Sequence, residues 1–208
     1  MVSLLLLHLV LLSGRGFADE IFVVGIYSLT WVFQCLYHTL PIKERKPPTV
    51  MAQMHKYPKT GVDESTSILL SFPSGPGGAT YAQGVATTSL RIGIHPDSKE
   101  AAAPAIRIQG TKAEIQVDHP AYRPKRWRLV HKDGQVEEFE NEMPNHAQGL
   151  AYEADEVARC IRDGKRESEV MSLDESIVIM KVMDEVRRQG GLKYPEKLET
   201  LEYPIEHW

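Results

Sequence analysis

The chain has 208 residues, of which 42% are hydrophobic and 25% charged, and its formal net charge is −4. This composition is typical of a globular protein, and the excess of acidic groups argues against binding to nucleic acid. The length fits a single domain with a short appendage. The two cysteines, Cys35 and Cys160, lie far apart and in no Cys/His pattern, so we expect neither a disulfide framework nor a metal site.

Residues 1–24 form an apolar segment that differs from the rest of the chain. Aliphatic residues from Met1 to Leu12 precede the small residues Gly16 and Ala18, as in a secretory signal peptide, but no Lys or Arg comes before them. The run is about half of the roughly 20 residues that a spanning helix needs, so no stable membrane anchor is expected. Three interpretations of this segment remain open: a signal peptide, an added buried helix, or a misassigned or truncated start. A working signal peptide would make the protein secretory; otherwise we expect it in the cytoplasm.

A helix and then a series of strands are predicted from Gly25 to Glu140. Between Gly25 and Tyr37 the apolar residues recur every three or four positions, which is the spacing of one helical face. The strands that follow are bounded by Gly, Pro, Asp or Lys-Thr turns. Because the connections at 109–112 and 132–134 are as short as hairpin turns, we expect mainly antiparallel pairing. The predicted strands cover residues 49–56, 65–72, 84–94, 105–109, 113–117, 126–131 and 135–139.

Two further helices are predicted near the end of the chain. The first carries an apolar stripe from Leu150 to Ile161 and ends at Gly164. The second begins with a capping box of Ser172 and Glu175 and ends at Gly190, and its apolar stripe comprises Leu173, Ile177, Met180 and Met183. The sequence therefore predicts an α+β fold, with a large, mainly antiparallel open sheet and helices packed on one face.

Three apparent motifs are assigned structural roles. The glycine-rich stretch at 74–78 precedes a strand instead of a helix, so we interpret it as a hairpin loop and not as a phosphate site. The basic stretch Arg123–Arg128 is interpreted as a solvated strand edge on which charges discourage pairing. The histidines at 38, 55, 95, 119, 131 and 146 lack the spacing of metal ligands.

Four separated segments carry a family resemblance, at Gly25–Gln34, Lys56–Glu64, Ile106–Val117 and Tyr152–Pro195. In this order they resemble the C-terminal domain of the Gfo/Idh/MocA oxidoreductases. Within that family they are most similar to the dimeric dihydrodiol dehydrogenases and the fungal NADP-dependent D-xylose dehydrogenases. The resemblance implies that residues 25–208 form a substrate-binding and dimerisation domain for a small sugar or diol.

The cofactor expectation also comes from the resemblance. Complete family members begin with a Rossmann domain and a Glu-Lys-Pro segment, and neither is found in this sequence; Glu44–Pro47 is interpreted as a charged linker. The resemblance implies NADP or NAD as cofactor, but we do not expect this chain alone to bind it. The match ends near Val24, which favours a truncated or alternatively spliced product that is inactive alone.

The same family resemblance suggests three candidate site residues. Tyr27 matches the family's catalytic tyrosine, whereas the family's aspartate position falls on Val23. Tyrosine has an ordinary pKa of about 10, so proton abstraction near neutrality requires a nearby positive charge. The alternative role for Tyr27 is that of a half-buried helix aromatic. Lys59 and Asp63 are candidates for substrate binding, with a purely structural turn at 58–61 as the alternative.

Three functions are compatible with these observations. The first is the substrate-binding and assembly domain of an NAD(P)-dependent dehydrogenase that acts on CH–OH groups. The second is a non-catalytic module that forms a homodimer, or associates with a full-length relative, through its sheet. The third, a secreted binding protein, requires that the apolar segment be cleaved.

Overall fold

The computed structural model describes residues 25–74, 80–91, 104–121, 123–142 and 149–202. The apolar segment 1–24 and most of the predicted glycine-rich loop lie outside the described residues. The chain divides into two compact units. The three-stranded unit contains the described residues before 92 and after 176, and the four-stranded unit contains those between 92 and 176.

The three-stranded unit consists of one antiparallel sheet together with several helical segments. Its strands lie in the order β1-β2-β3. The helix α1 is continued by a π-helical turn, Gln34–His38, and a short 3-10 turn follows at Ile42–Glu44. The other elements are α1 (Ile26–Phe33), β1 (Thr49–Lys56), β2 (Asp63–Ser74), β3 (Thr80–Ser89), most of α3 (Leu173–Gly190) and α4 (Glu196–Glu199).

One face of this sheet forms a packed apolar core. Alternate residues of β2 point to this face, and Ile68, Leu70 and Phe72 are buried there. The Phe72 ring contacts the Phe33 ring of α1 edge-on at a centroid distance of 5.3 Å. The buried residues of α3 are Glu175, Ile179, Val182, Met183 and Val186.

Two glycines allow the helices to approach this face closely. A Cβ atom on Gly84 of β3 would lie 2.3 Å from a methyl carbon of Val32 in α1. A Cβ atom on Gly190 of α3 would lie 2.6 Å from the sulfur of Met54 in β1. Because Met54 and Phe72 lie on the same side of the sheet, both helices cover one face, as predicted.

The opposite face of the three-stranded sheet carries an apolar row whose two outer residues are exposed. Met51, Leu69 and Val85 are direct cross-strand neighbours on β1, β2 and β3. Met51 and Val85 are each 68% exposed. This row is therefore available for contact with another surface.

The four-stranded unit contains the remaining strands. Its sheet has the antiparallel order β4-β5-β6-β7, and the first turn of α3 also belongs to this unit. Among the described residues of the sheet, only Val117 is buried. The elements of this unit are β4 (Ile106–Gln109), β5 (Ala113–Val117), β6 (Arg126–His131), β7 (Val136–Glu140) and α2 (Leu150–Arg162).

A polar network crosses one face of the four-stranded sheet. Arg107 donates two hydrogen bonds to the Glu114 carboxylate, at 2.7 and 2.8 Å, and Gln109 and Gln116 donate to the same group. The Arg128 side chain in turn donates to Gln116 at 2.8 Å. On the other face, Trp127 and Phe139 stack with ring centroids 3.9 Å apart.

The structure confirms the α+β class and the antiparallel pairing. The strands are divided between two sheets, however, instead of forming one large sheet. The predicted bounds of β1, β5 and β6 match the observed ones, whereas β3 begins and ends earlier than predicted. Ser172 caps α3 as expected, because its side-chain oxygen accepts the backbone N–H of Glu175 at 3.1 Å.

Two interpretations of the sequence were wrong. The basic stretch does not form a sheet edge, because its strand, β6, lies between β5 and β7. Its charges are offset by acidic neighbours, since Lys125 pairs with Glu140 and Arg126 with Asp118. Of the predicted apolar stripe of α3, only Met183 is buried. Leu173, Ile177 and Met180 are exposed, because Ile179, Val182 and Val186 face the core instead.

Candidate functional site

An open cleft of about 350 Å³ lies at one end of the three-stranded sheet. At this end β1 finishes, β2 begins and β3 finishes, so residues from three segments meet there. The lining residues are Tyr57, Thr60, Val62, Asp63, Glu64, Leu90 and Arg91. The cleft combines an aromatic ring, apolar side chains and three ionisable groups, which is the type of lining that binds small polar molecules.

The turn between β1 and β2 forms one wall of the cleft. The carbonyl of Tyr57 accepts hydrogen bonds from the backbone N–H groups of Thr60 and Gly61, at 3.2 and 2.8 Å, and the N–H of Tyr57 donates to Val62 at 2.7 Å. Gly61 has φ of 75°, a left-handed conformation that glycine adopts without strain. This closed turn fixes the position of the first residues of β2.

Asp63 and Glu64 are the two acidic residues that line the cleft. Asp63 is the first residue of β2 and is only 1% exposed. The carbonyl of Glu64 accepts the backbone N–H of Leu90 at 3.1 Å, which joins the start of β2 to the end of β3. The Glu64 carboxylate also lies 3.6 Å from the guanidinium of Arg91.

Tyr27 lies in the first turn of α1 and is 39% exposed. The hydroxyl of its neighbour, Ser28, donates to the carbonyl of Thr87 at 3.1 Å. Thr87 is close to the end of β3, so α1 begins at the end of the sheet where the cleft lies. Tyr27 itself does not line the cleft.

The three predicted site residues therefore have different positions. Asp63 lines the cleft, Tyr27 lies on the helix that begins at the same end of the sheet, and Lys59 is exposed in the turn without lining the cleft. Neither Glu64 nor Arg91 was predicted as a site residue from the sequence. Glu64 directly follows Asp63, and that adjacent pair of acids at the start of a predicted strand was a usable signal. Arg91 had no such signal, because only the pairing of β2 with β3 brings it to the cleft.

The described residues do not form a recognisable binding site for a metal ion or a dinucleotide. No group of three or more His, Cys, Asp or Glu side chains within the described ranges is arranged to hold a metal ion. A dinucleotide is bound where a strand leads through a glycine turn into a helix. In both described sheets every strand pairs antiparallel to its neighbours, so these residues do not fit that cofactor. No helix in the described part of the chain is both long and apolar enough to span a membrane.

Comparison with known proteins shows clear relatives. The sequence is 44% identical over 183 residues to a D-xylose 1-dehydrogenase (NADP(+)) from Hypocrea jecorina, covering 85% of this chain and 45% of that protein. It is 27% identical over 177 residues to a trans-1,2-dihydrobenzene-1,2-diol dehydrogenase from Sus scrofa, covering 83% of this chain and 47% of that protein. The chain thus spans slightly less than half the length of these relatives. No protein-family model matches it.

The fold also has a counterpart among solved structures. The crystal structure of an aldose-aldose oxidoreductase from Caulobacter crescentus, complexed with glycerol, superimposes with a TM-score of 0.57 at 18% identity. The match covers 83% of this chain and 45% of that chain. It supports the fold alone. The sequence relatives, a D-xylose dehydrogenase and a dihydrodiol dehydrogenase, are of the two kinds that the four segments resemble.

Proposed function

We propose that this chain, a relative of the D-xylose and dihydrodiol dehydrogenases of the Gfo/Idh/MocA group, is the substrate-binding and assembly part of an NAD(P)-dependent oxidoreductase. The observation that carries the proposal is the 44% identity to a D-xylose 1-dehydrogenase over 85% of this chain. The substrate is a small sugar or diol with a CH–OH group. The cleft at the end of the three-stranded sheet is the proposed binding site.

The proposed roles of the three residues follow from their positions. Asp63, which lines the cleft and is 1% exposed, is the proposed hydrogen-bond acceptor for a substrate hydroxyl group. Tyr27, which lies outside the cleft lining but on the helix that begins at the same end of the sheet, is the proposed acceptor of the proton that leaves the substrate hydroxyl. Lys59, exposed in the adjacent turn, contacts the substrate from the rim. The name of the related D-xylose 1-dehydrogenase includes NADP(+), and we propose that this cofactor is bound outside the residues described here.

A location in the cytoplasm belongs to the same proposal. Both cysteines of the chain, Cys35 and Cys160, are free thiols. Free thiols are typical of proteins in the reducing cytoplasm, whereas secreted proteins commonly pair their cysteines.

Direct binding of D-xylose to the full chain tests the substrate role. We expect saturation-transfer NMR to show contact between the protein and the sugar, and we expect Asp63→Asn to weaken it about tenfold, because a carboxylate accepts hydroxyl hydrogen bonds more strongly than an amide. Asp155→Asn, on the exposed surface of α2, is the matched control. Absence of sugar binding by the folded wild-type chain would contradict the proposal, as would equal weakening in both variants.

A titration with NADPH tests the cofactor part separately. The nicotinamide fluorescence is expected to stay unchanged when the chain is added in the micromolar range. Saturable binding would show that the cofactor site lies within this chain and would overturn that part of the proposal.

The second candidate is a non-catalytic association module, favoured by the apolar row Met51, Leu69 and Val85. An apolar row on an open sheet face pairs well with a second copy of itself or with a full-length relative. Light scattering after size-exclusion chromatography is expected to show a dimer that Val85→Lys dissociates. Leu173→Lys, at a residue 64% exposed on α3, should leave the dimer intact. A monomeric wild-type chain, or equal effects of both variants, would eliminate this candidate.

A further inference from the structure

The charged residues that line the cleft all interact with other groups of the protein. Asp63 is 1% exposed and has a partner within the chain. The Glu64 carboxylate lies 3.6 Å from the guanidinium of Arg91, whose side chain is 75% exposed at the mouth of the cleft. None of these three residues therefore presents an isolated charge to a ligand, and selectivity must come from the other lining residues.

The largest open side chains of the lining are apolar. Tyr57 is 38% exposed and Leu90 is 56% exposed, and Val62 lines the cleft with them. A ligand that covers these side chains removes apolar area from water, which is favourable in proportion to the area covered. The cleft therefore favours a ligand that has an apolar surface of its own.

The sheet holds Tyr57 and Leu90 on opposite sides of β2. Tyr57 directly follows β1 and Leu90 directly follows β3, and β2 lies between these two strands. The N–H of Tyr57 donates to the carbonyl of Val62 at 2.7 Å, and the N–H of Leu90 donates to the carbonyl of Glu64 at 3.1 Å. Because both backbones are tied to the start of β2, the two apolar walls are in place before a ligand binds, which lowers the cost of ordering.

A ring-closed sugar offers an apolar surface that an open-chain polyol lacks. When the hydroxyl groups of a six-membered ring are equatorial, its C–H groups are gathered on the two ring faces. An open chain has no such face and also loses more rotational freedom on binding. A volume of about 350 Å³ lies at the small end of the range for ligand pockets, which suits one ring.

We infer that Tyr57 and Leu90 determine the specificity of this cleft, so that it selects ring-closed sugars and cyclic diols over open-chain polyols of the same size. The inference rests on the proposed function and names the form in which the substrate binds. A C–H face of the ligand packs on the Tyr57 ring, and its opposite side covers Leu90. The hydroxyl groups at the rim of the ligand are left to the acidic residues at the start of β2.

The test compares ring-closed and open-chain ligands in binding to the full chain, measured by saturation-transfer NMR titration. One pair is D-xylose and xylitol, and the other is scyllo-inositol and sorbitol, which have equal numbers of carbons and hydroxyl groups. We expect the ring-closed member of each pair to bind the wild-type protein about fivefold more tightly. Tyr57→Ala should reduce this preference below about twofold, whereas Tyr57→Phe, which keeps the aromatic ring, should retain it.

Two further measurements locate the contact. Selective saturation of the aromatic protons of the protein should transfer to the C–H protons of bound D-xylose in the wild type and not in Tyr57→Ala. Leu90→Ser should weaken binding of both ring-closed ligands about threefold, because it removes apolar area. Tyr81→Ala is the matched control, since Tyr81 is 65% exposed at the opposite end of β3.

The outcomes separate the inference from the proposed function. Binding of xylitol as tight as that of D-xylose, or no transfer from aromatic protons in the wild type, would overturn the inference while the substrate role stands. A preference that is unchanged in Tyr57→Ala, or lowered equally in Tyr81→Ala, would overturn it as well. A folded wild-type chain that binds none of the four ligands would overturn both.

Discussion

The two sheets of this protein are stabilised in different ways. In the three-stranded unit, one face is a packed core in which Phe72, Leu70 and Ile68 are almost fully buried. In the four-stranded unit, the described strands bury only Val117, and the Arg107–Glu114 network links neighbouring strands on the surface. Burial of apolar area contributes more free energy than exposed ion pairs do. Apolar burial therefore stabilises the three-stranded unit more strongly, and the cleft lies on this unit.

The largest expected effect comes from two matched phenylalanine truncations. Phe72→Ala should lower the free energy of unfolding by about 3–5 kcal/mol, because it leaves a cavity among buried rings. Phe139→Ala removes an aromatic ring that is 37% exposed and stacks on Trp127, so it should cost only about 1–2 kcal/mol. Urea denaturation followed by circular dichroism measures both. Equal losses would show that the two sheets are equally well packed.

A smaller loss of stability is expected at the outer edge of β1, which pairs with no further strand in the described sheet. The Gln189 side chain of α3 accepts the N–H of Ala52 and donates to the carbonyl of Val50, each at 2.8 Å, as a neighbouring strand would. Gln189→Ala should therefore cost about 1–2 kcal/mol and accelerate hydrogen exchange of the Ala52 amide. Gln189→Glu keeps the acceptor but loses the donor, so it should protect the Ala52 amide better than alanine does. If exchange at Ala52 is the same in all three proteins, the edge is not covered by Gln189.

The smallest effect is a pH dependence in the four-stranded unit. Hydrogen bonds from Arg107, Gln116 and Gln109 lower the pKa of Glu114 to about 2. A carboxyl group whose pKa is lowered by folding stabilises the protein above its ordinary value of 4.5, and this contribution is lost as the pH falls from there towards about 2.

Thermal unfolding of the wild type and of Glu114→Gln between pH 6 and pH 3 measures this contribution. The wild type should melt slightly higher above about pH 5, and the difference should shrink as the solution is acidified. A difference that is constant with pH would show that the carboxylate contributes nothing through its charge. The Glu114→Gln variant is needed because Arg188 and Gln189 also lower the pKa of Glu185 to about 2. Glu185 contributes its own pH dependence to both proteins, and the difference between them isolates that of Glu114.

Local sequence patterns were sufficient to predict most elements. The bounds of β1, β5 and β6 could be predicted because turn residues flank each run, and the start of α3 because Ser172 caps it. The buried face of α3 could not be predicted, since apolar residues occupy two faces of this helix and only tertiary packing selects between them. The interior position of β6 was missed for a similar reason. Its basic residues pair with acids on neighbouring elements, and that pairing depends on register.

The candidate site was only partly predictable. Asp63 could be named because it lies in a segment with a family resemblance, and the structure places it in the cleft. Arg91 is 27 residues from Glu64 in sequence (91 − 64) and reaches it through the pairing of Ser65 with Ser89. A single sequence does not specify such a register, so the charge pair at the mouth of the cleft had no sequence signal.

The close approach of α1 to β3 has an evolutionary consequence. Gly84 leaves no room for a Cβ atom, because the methyl group of Val32 fills that space. Evolution can therefore enlarge residue 84 only in a lineage where residue 32 becomes smaller or moves. Across the relatives of this protein, the side-chain volumes at these two positions should vary in opposite directions, so that their sum stays nearly constant.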